Sequence, residues 1–169
     1  MRDCSLALVA RLLALRCAAL LCAGASAQAA ESCTSWSTEM MDDEGGPVLT
    51  TWACAPERSD VLLLLNCTSG TVWMRYDLAT EEDGSAELDE TVSVRFATEQ
   101  GTQTLPMVFE EMDARHAGDF PVDAPLVDLL RSGRSLEIGD VDGRYPARTF
   151  SLQGPKAAID ALLAACEAN

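Results

Sequence analysis

Seven cysteines punctuate the chain, at positions 4, 17, 22, 33, 54, 67 and 166. No two are spaced C-x-x-C, so neither a zinc ribbon nor a thioredoxin-type redox centre is indicated. The other residues suited to chemistry are sparse. His116 is the only histidine, and it stands in an irregular charged stretch where a surface position is expected. No G-x-S-x-G elbow supplies an activated serine. The acidic pairs Glu81-Glu82 and Glu110-Glu111 are the kind of carboxylates that glycoside cleavage uses, but nothing places them in a cleft, and they read as solvated faces. Asp42-Asp43-Glu44 and Asp140-Val141-Asp142-Gly143 echo calcium loops without the remaining ligands and read as turns. No phosphate loop or dinucleotide fingerprint occurs. The expectation is a protein with no catalytic residue, no metal ligand and no cofactor.

What the cysteines do depends on where the protein resides. Arg2, Arg11 and Arg16 precede an apolar run from Cys17 to Gly24. Ala25-Ser26-Ala27 then offers the small residues that signal peptidase reads, with Ala27-Gln28-Ala29 as a second frame. The run is shorter than the ~20 apolar residues that span a bilayer. Residues 1–27 are therefore expected to be a signal peptide, and residues 28–169 a single exported domain, periplasmic or secreted. Leu21 before Cys22 argues against a lipid anchor, and translation starting near Val9 would give a leader of ordinary length.

Removal of the leader takes away three arginines and one aspartate. The net charge moves from −15 for the whole chain to −17. Such a domain repels phosphate backbones and anionic lipid heads, which excludes nucleic acid and membrane surfaces as partners. Nothing in the mature part is expected to insert into a membrane. The acidity serves solubility, or it attracts a cationic partner.

Four cysteines then remain in an oxidising compartment, enough for two disulfides and three connectivities. The preferred pairing is Cys67–Cys166, leaving Cys33–Cys54. Cys67 ends an apolar strand, and Cys166 lies on the apolar stripe of a closing helix. A bridged Cys67 also argues against use of the sequon Asn66-Cys67-Thr68.

The elements that must hold these residues are mostly strands. Val48–Cys54 is β-branched and aromatic, and Gly45-Gly46-Pro47 turns it back on Trp36–Met41. Val61–Leu65 is a continuous apolar run expected to be buried on both faces. In Thr71–Leu78, Val72, Met74, Tyr76 and Leu78 share one side while Trp73, Arg75 and Asp77 take the other. Thr91–Ala97 alternates, and Thr102–Met112 carries Pro106, the mark of an edge or a bulge. Asp113–Val122 reads as a loop or a short strand. Asp123 is expected to cap a short helix with Pro125 in its first turn, stopped by Gly133. Ser135–Val141 and Arg144–Leu152 read as a hairpin about a type I′ turn at Asp142-Gly143. Gly154-Pro155 opens a last helix in which Ile159, Leu162, Leu163 and Cys166 form one stripe. The fold class is mainly β: an antiparallel sheet or sandwich with one short inserted helix and one packed C-terminal helix.

Of the three tryptophans, Trp36 and Trp52 are candidates for core or contact face. Trp73, on the polar side of its strand beside Arg75, is the expected binding face. Several strings taken in order resemble one bacterial group: Leu63–Cys67 followed by Thr71–Asp77, Val94-Arg95-Phe96, Leu129–Leu136, and Phe150–Gly154 with Ala157, Ile159, Leu162 and Cys166. Over Val61 to Cys166 the chain resembles the small periplasmic proteins associated with type VI secretion, the TagO/VasI-like group. It is also similar to the invasion-associated locus B family. The resemblance implies a bridge between the strand cysteine and the terminal one, and transfers no catalytic residue. Cys33, Cys54 and the acidity depart from the group. The function expected is a non-enzymatic periplasmic binding or assembly accessory, tied to envelope or secretion machinery through a protein or envelope partner. The alternatives are an acidic inhibitor-like module that caps a cationic enzyme such as a lysozyme, and a hydrolase working through a carboxylate pair.

Overall fold

The computed structural model describes residues 35–43, 46–79 and 86–168. The leader with its cleavage sites, Cys33, Glu44 and Glu81-Glu82 lie outside the described residues.

Alternation of apolar and polar residues dictates a sheet, and nine antiparallel strands form one: β1 (Ser37–Asp43), β2 (Gly46–Ala55), β3 (Arg58–Thr68), β4 (Thr71–Tyr76), β5 (Thr91–Thr98), β6 (Gly101–Glu110), β7 (Arg115–Pro121), β8 (Ser135–Asp140) and β9 (Arg148–Ser151). Their spatial order is β1-β2-β3-β4-β7-β6-β5-β8-β9. The helix α1 (Pro125–Ser132) joins β7 to β8, and α2 (Pro155–Ala168) ends the chain. Both expected helices are present, and the mainly-β reading holds. Among the described residues no helix is long and apolar enough to cross a membrane.

The sheet bends into two layers where β6 meets β7. β6 pairs with β5 from Gly101 to Val108, but with β7 only from Val108 to Glu110. β7 pairs with β4 along its whole length. Gly118 sits at this corner, where a β-carbon would stand 2.9 Å from the Pro106 carbonyl oxygen. Pro106 thus lies where β6 pairs with β5 but not with β7, an edge-like position that tolerates a residue without an N–H. β9 folds over to pack against β2, and the Trp36 indole N–H donates to the Ser151 carbonyl at 3.0 Å.

Between the layers lies the core. Val61, Leu63 and Leu65 of β3, Val72, Met74 and Tyr76 of β4, and Val92, Val94 and Phe96 of β5 are all buried. Tyr76 meets Phe150 of β9 edge-on, with ring centroids 5.8 Å apart. The expected double burial of Val61–Leu65 is corrected: Leu62 and Leu64 are only half-buried. An antiparallel hairpin leaves one face toward water, so a continuous apolar run here is alternating burial with an apolar outer surface.

α2 covers β1, β2 and β3 and touches α1. Ile159, Leu162 and Cys166 face inward, as their spacing requires, and Thr51 donates from its hydroxyl to the Ala158 carbonyl. The Cys67–Cys166 disulfide joins the end of β3 to the last turn of α2 across 99 residues, with Cα atoms 5.1 Å apart. Cys54 is buried and disulfide-bonded.

Two local expectations are corrected, the cap of α1 and the β8–β9 turn, while the stop at Gly133 holds. Asp123 does not cap α1: the N-cap is Ala124, with no side-chain bond, and Pro125 begins the helix directly. Gly133 ends α1 with an ordinary negative φ of −71°. Its small size is what counts, because a β-carbon would lie 2.7 Å from Leu152 and 2.9 Å from Thr98. The β8–β9 hairpin is not a two-residue turn. Pairing of the two strands stops at Ile138 and Arg148, and a loop of residues 141–147 joins the end of β8 to β9. Asp140 organises it, its carboxylate accepting from the N–H groups of Asp142 and Arg144 at 3.0 Å each. Gly143, at φ +71°, completes the turn.

Closing a loop this long removes more denatured-state entropy than any other restraint among the described residues. Replacing Cys67 and Cys166 together by alanine is expected to lower the unfolding free energy by about 2–5 kcal/mol. Urea denaturation of the oxidised wild type against the double variant measures it. An unchanged midpoint would show that α2 holds by packing alone.

Candidate functional site

Strand parity decides which residues face water on the layer made by β1, β2, β3, β4 and β7. On β4, the buried set Val72, Met74 and Tyr76 sends Trp73 and Arg75 outward, as expected. Trp73 stands opposite Asn66 of β3 and Asp119 of β7. Arg75 stands opposite Leu64 and Ala117. Thr50 of β2 continues the row beyond Asn66.

Trp73, Arg75, Asn66, Leu64 and Thr50 line a groove of about 170 Å³ together with Met41, Asp42 and Val48 and with Asp113 and Arg115. Trp73 is 45 % exposed, and Arg75 keeps about a quarter of its side chain in solvent. The arginine charges are matched on site. Arg75 Nε lies 3.1 Å from Glu110 and 3.0 Å from Asp113. Arg115 Nε donates to Asp77 at 2.9 Å, and the same carboxylate accepts the Leu62 backbone N–H at 2.7 Å. Exposed pairs of this kind add little stability, typically 0–1 kcal/mol. Their effect is to fix the two guanidinium groups in a row along the face that Trp73 begins. Trp52 lies half-buried on the same face and donates to Glu39 at 2.9 Å. Trp36 belongs to the core.

The other candidates are dispersed. Glu110 is bound to Arg75, and Glu111 lies in the exposed turn that follows β6. The Asp140 carboxylate is consumed by its own loop and by Arg144. Among the described residues no group of three or more His, Cys, Asp and Glu side chains could hold a metal ion.

His116 is the main correction. The expected surface histidine is fully buried, because Asp113–Val122 is not a loop but contains β7, which turns His116 and Phe120 into the core. Its ring packs on Phe109 at 5.4 Å and on Tyr145 at 5.8 Å, and neither ring nitrogen has a hydrogen-bond partner among the described residues. The loop after β8 closes over it. Tyr145 donates its hydroxyl to Glu90 at 2.8 Å, and Arg144 pairs with Glu90 as well as with Asp140. Burial pushes the His116 imidazole below its ordinary value, outweighing the nearby carboxylates of Glu90 and Asp140. Burial would raise Glu90, but hydrogen bonds from Tyr145 and Arg144 prevail and hold it low. Nothing in the spacing of Arg115–Pro121 signalled this cluster. The alternation His116, Gly118, Phe120 is legible only once the strand is granted.

With the geometry in place, comparisons with known proteins add a fold relationship. No protein-family model matches the chain, and no curated protein matches it. Among solved structures, the chain is similar to invasion associated protein B from Bartonella henselae, with a TM-score of 0.52 at 17 % identity over 78 % of this chain and 94 % of that one. The likeness supports the invasion-associated side of the resemblance at the level of fold and lends nothing to the type VI secretion side.

The buried imidazole makes folding pH-dependent. The unfolded chain takes up a proton near pH 6.5, and the folded chain resists it until lower pH. The unfolded state therefore binds more protons in that window, and stability falls as pH drops below about 6.5, by up to ~1.4 kcal/mol per pH unit. Glu90 loses its contribution only in the lower, carboxylate window. Urea midpoints between about pH 8 and pH 5.5 are expected to decline for the wild type and to stay level for His116→Leu. Equal declines in both would place the linkage elsewhere.

Proposed function

We propose that this chain is an exported, non-enzymatic binding or assembly accessory that works in the bacterial periplasm by contact with a protein of the envelope. The observation that carries the reading is the exposed indole of Trp73, followed on the same sheet face by the charge-matched Arg75 and Arg115. Tryptophan and arginine dominate the energetics of protein interfaces. The groove they line holds about 170 Å³, below the ~300 Å³ at which pockets begin to engulf small molecules. It suits a surface contact better than an enclosed substrate.

Export is supported by the small-residue site after the apolar leader and by the disulfide. The fold shared with the invasion associated protein of Bartonella henselae is in keeping with a bacterial origin. Asp77, Glu110 and Asp113 already satisfy the two arginines, so the face meets a partner without leaving a buried unpaired charge.

The test is capture from an envelope extract of the source organism, by cross-linking to the tagged full chain. The wild type is expected to retain a partner, and Trp73→Ala to weaken its retention about thirtyfold or more, the loss of a ≥ 2 kcal/mol anchor. Equal retention by both chains would remove Trp73 from the interface. Turnover of a glycan or peptide substrate by the purified chain would overturn the non-enzymatic reading.

A further inference from the structure

The reading above rests on one face of the outer layer, but the edge of that layer has its own chemistry. β1 pairs with β2 in an unbroken register from Ser37↔Trp52 to Asp43↔Gly46. Among the described residues no strand pairs with its other side. An edge strand presents unpaired N–H and C=O groups, which natural sheets protect with charged side chains, a proline, a bulge, a covering helix or loop, or a very short strand. β1, Ser-Thr-Glu-Met-Met-Asp-Asp, runs for seven residues with no proline and no bulge, and the guard it carries is the charge of its three acids, which turns away acidic strands and admits basic ones. The opposite edge is protected: β9 has four residues, and Trp36 already takes the Ser151 carbonyl.

Both flanks of β1 open onto grooves. On one lies the Trp73 groove, which Met41, Asp42 and Val48 enter. On the other, Met40, Pro47, Val48, Leu49, Thr68 and Ala165 line a second groove of about 400 Å³ whose lining carries no charged side chain. Met40 stands 61 % exposed beside it. Two grooves astride a free edge match what strand addition requires, because successive side chains of an added strand point to opposite faces.

We propose that β1 accepts an additional β-strand from a partner protein, and that the segment it takes is extended and basic, with lysine or arginine alternating with apolar residues. The charge of the edge selects the occupant. Glu39, Asp42 and Asp43 are the strand's only charged residues, within a chain of net charge −15. A second copy of β1 would bring its own three carboxylates to the same seam, where charges of one sign repel. A basic strand gains from the same field in both encounter and register.

The experiment is a titration of the full oxidised chain with two synthetic peptides, one alternating lysine and valine, the other glutamate and valine, followed by amide hydrogen exchange. The lysine peptide is expected to bind at least about tenfold more tightly. It should slow exchange at residues 37–43, and the double variant Glu39→Lys with Asp42→Lys should reverse the preference. Equal binding of both peptides, or protection confined to other strands, would overturn the proposal. So would self-association of the peptide-free chain through β1, seen by ultracentrifugation. The titration uses no envelope component, so its failure leaves the Trp73 reading standing, and failure of envelope capture leaves the edge proposal standing.

Discussion

The bond between Cys67 and Cys166 is the constraint on which the rest of the architecture depends. A sheet bent into two layers has an open side, and here α2 covers it over β1, β2 and β3. α2 packs through a narrow stripe, Ile159, Leu162 and Cys166, and its polar reach into the sheet is the bond between Thr51 and the Ala158 carbonyl. Without a covalent tie, the last helix of a chain is among the first elements to fray. The bridge removes that option at the point where the helix meets the end of β3. The strands beneath keep their twist, and with it the spacing of the outward residues on β3 and β4.

Those outward residues also explain the uneven division of polar chemistry between the two layers. The outer groove is open to solvent and charge-matched: Arg75 meets Glu110 and Asp113, and Arg115 meets Asp77. The inner cluster about His116 is dry, and its ion pairs sit at the rim, with Glu90, Arg144 and Asp140 sealing the loop over Tyr145. One side of the molecule can exchange water for a partner. The other stays closed, and its neutral imidazole keeps it so while the pH is near neutral.

Much of the fold was legible from side-chain period. The alternation in Thr71–Leu78 and Thr91–Ala97 and the stripe in the final helix each name a buried face without reference to any neighbour. That parity put Trp73 and Arg75 outside and joined Cys67 to Cys166. β7 was legible only as one of two readings, loop or short strand, because Arg-His-Ala-Gly-Asp-Phe-Pro buries a histidine where an apolar residue would announce a strand. The long β8–β9 loop was masked by Asp142-Gly143, a dipeptide that suits a tight turn equally well; the Asp140 carboxylate, not the turn type, decides the geometry. The groove could not be assembled from sequence. Met41, Asp42, Asp113 and Arg115 reach Trp73 only through strand order, in which β4 passes over β5 and β6 to pair with β7.

The corner between the layers has a mechanical meaning. Backbone hydrogen bonding runs unbroken from β1 to β7 and again from β6 to β9, while the two stretches meet in a ladder only three residue pairs long, Val108 to Glu110 against Ala117 to Arg115. Each half is a stiff plate, and that ladder is the crease. Force applied to the β1 edge is carried across four full-length ladders before it reaches the fold line, so tension from a docked partner concentrates on these three pairs and on the glycine beside them.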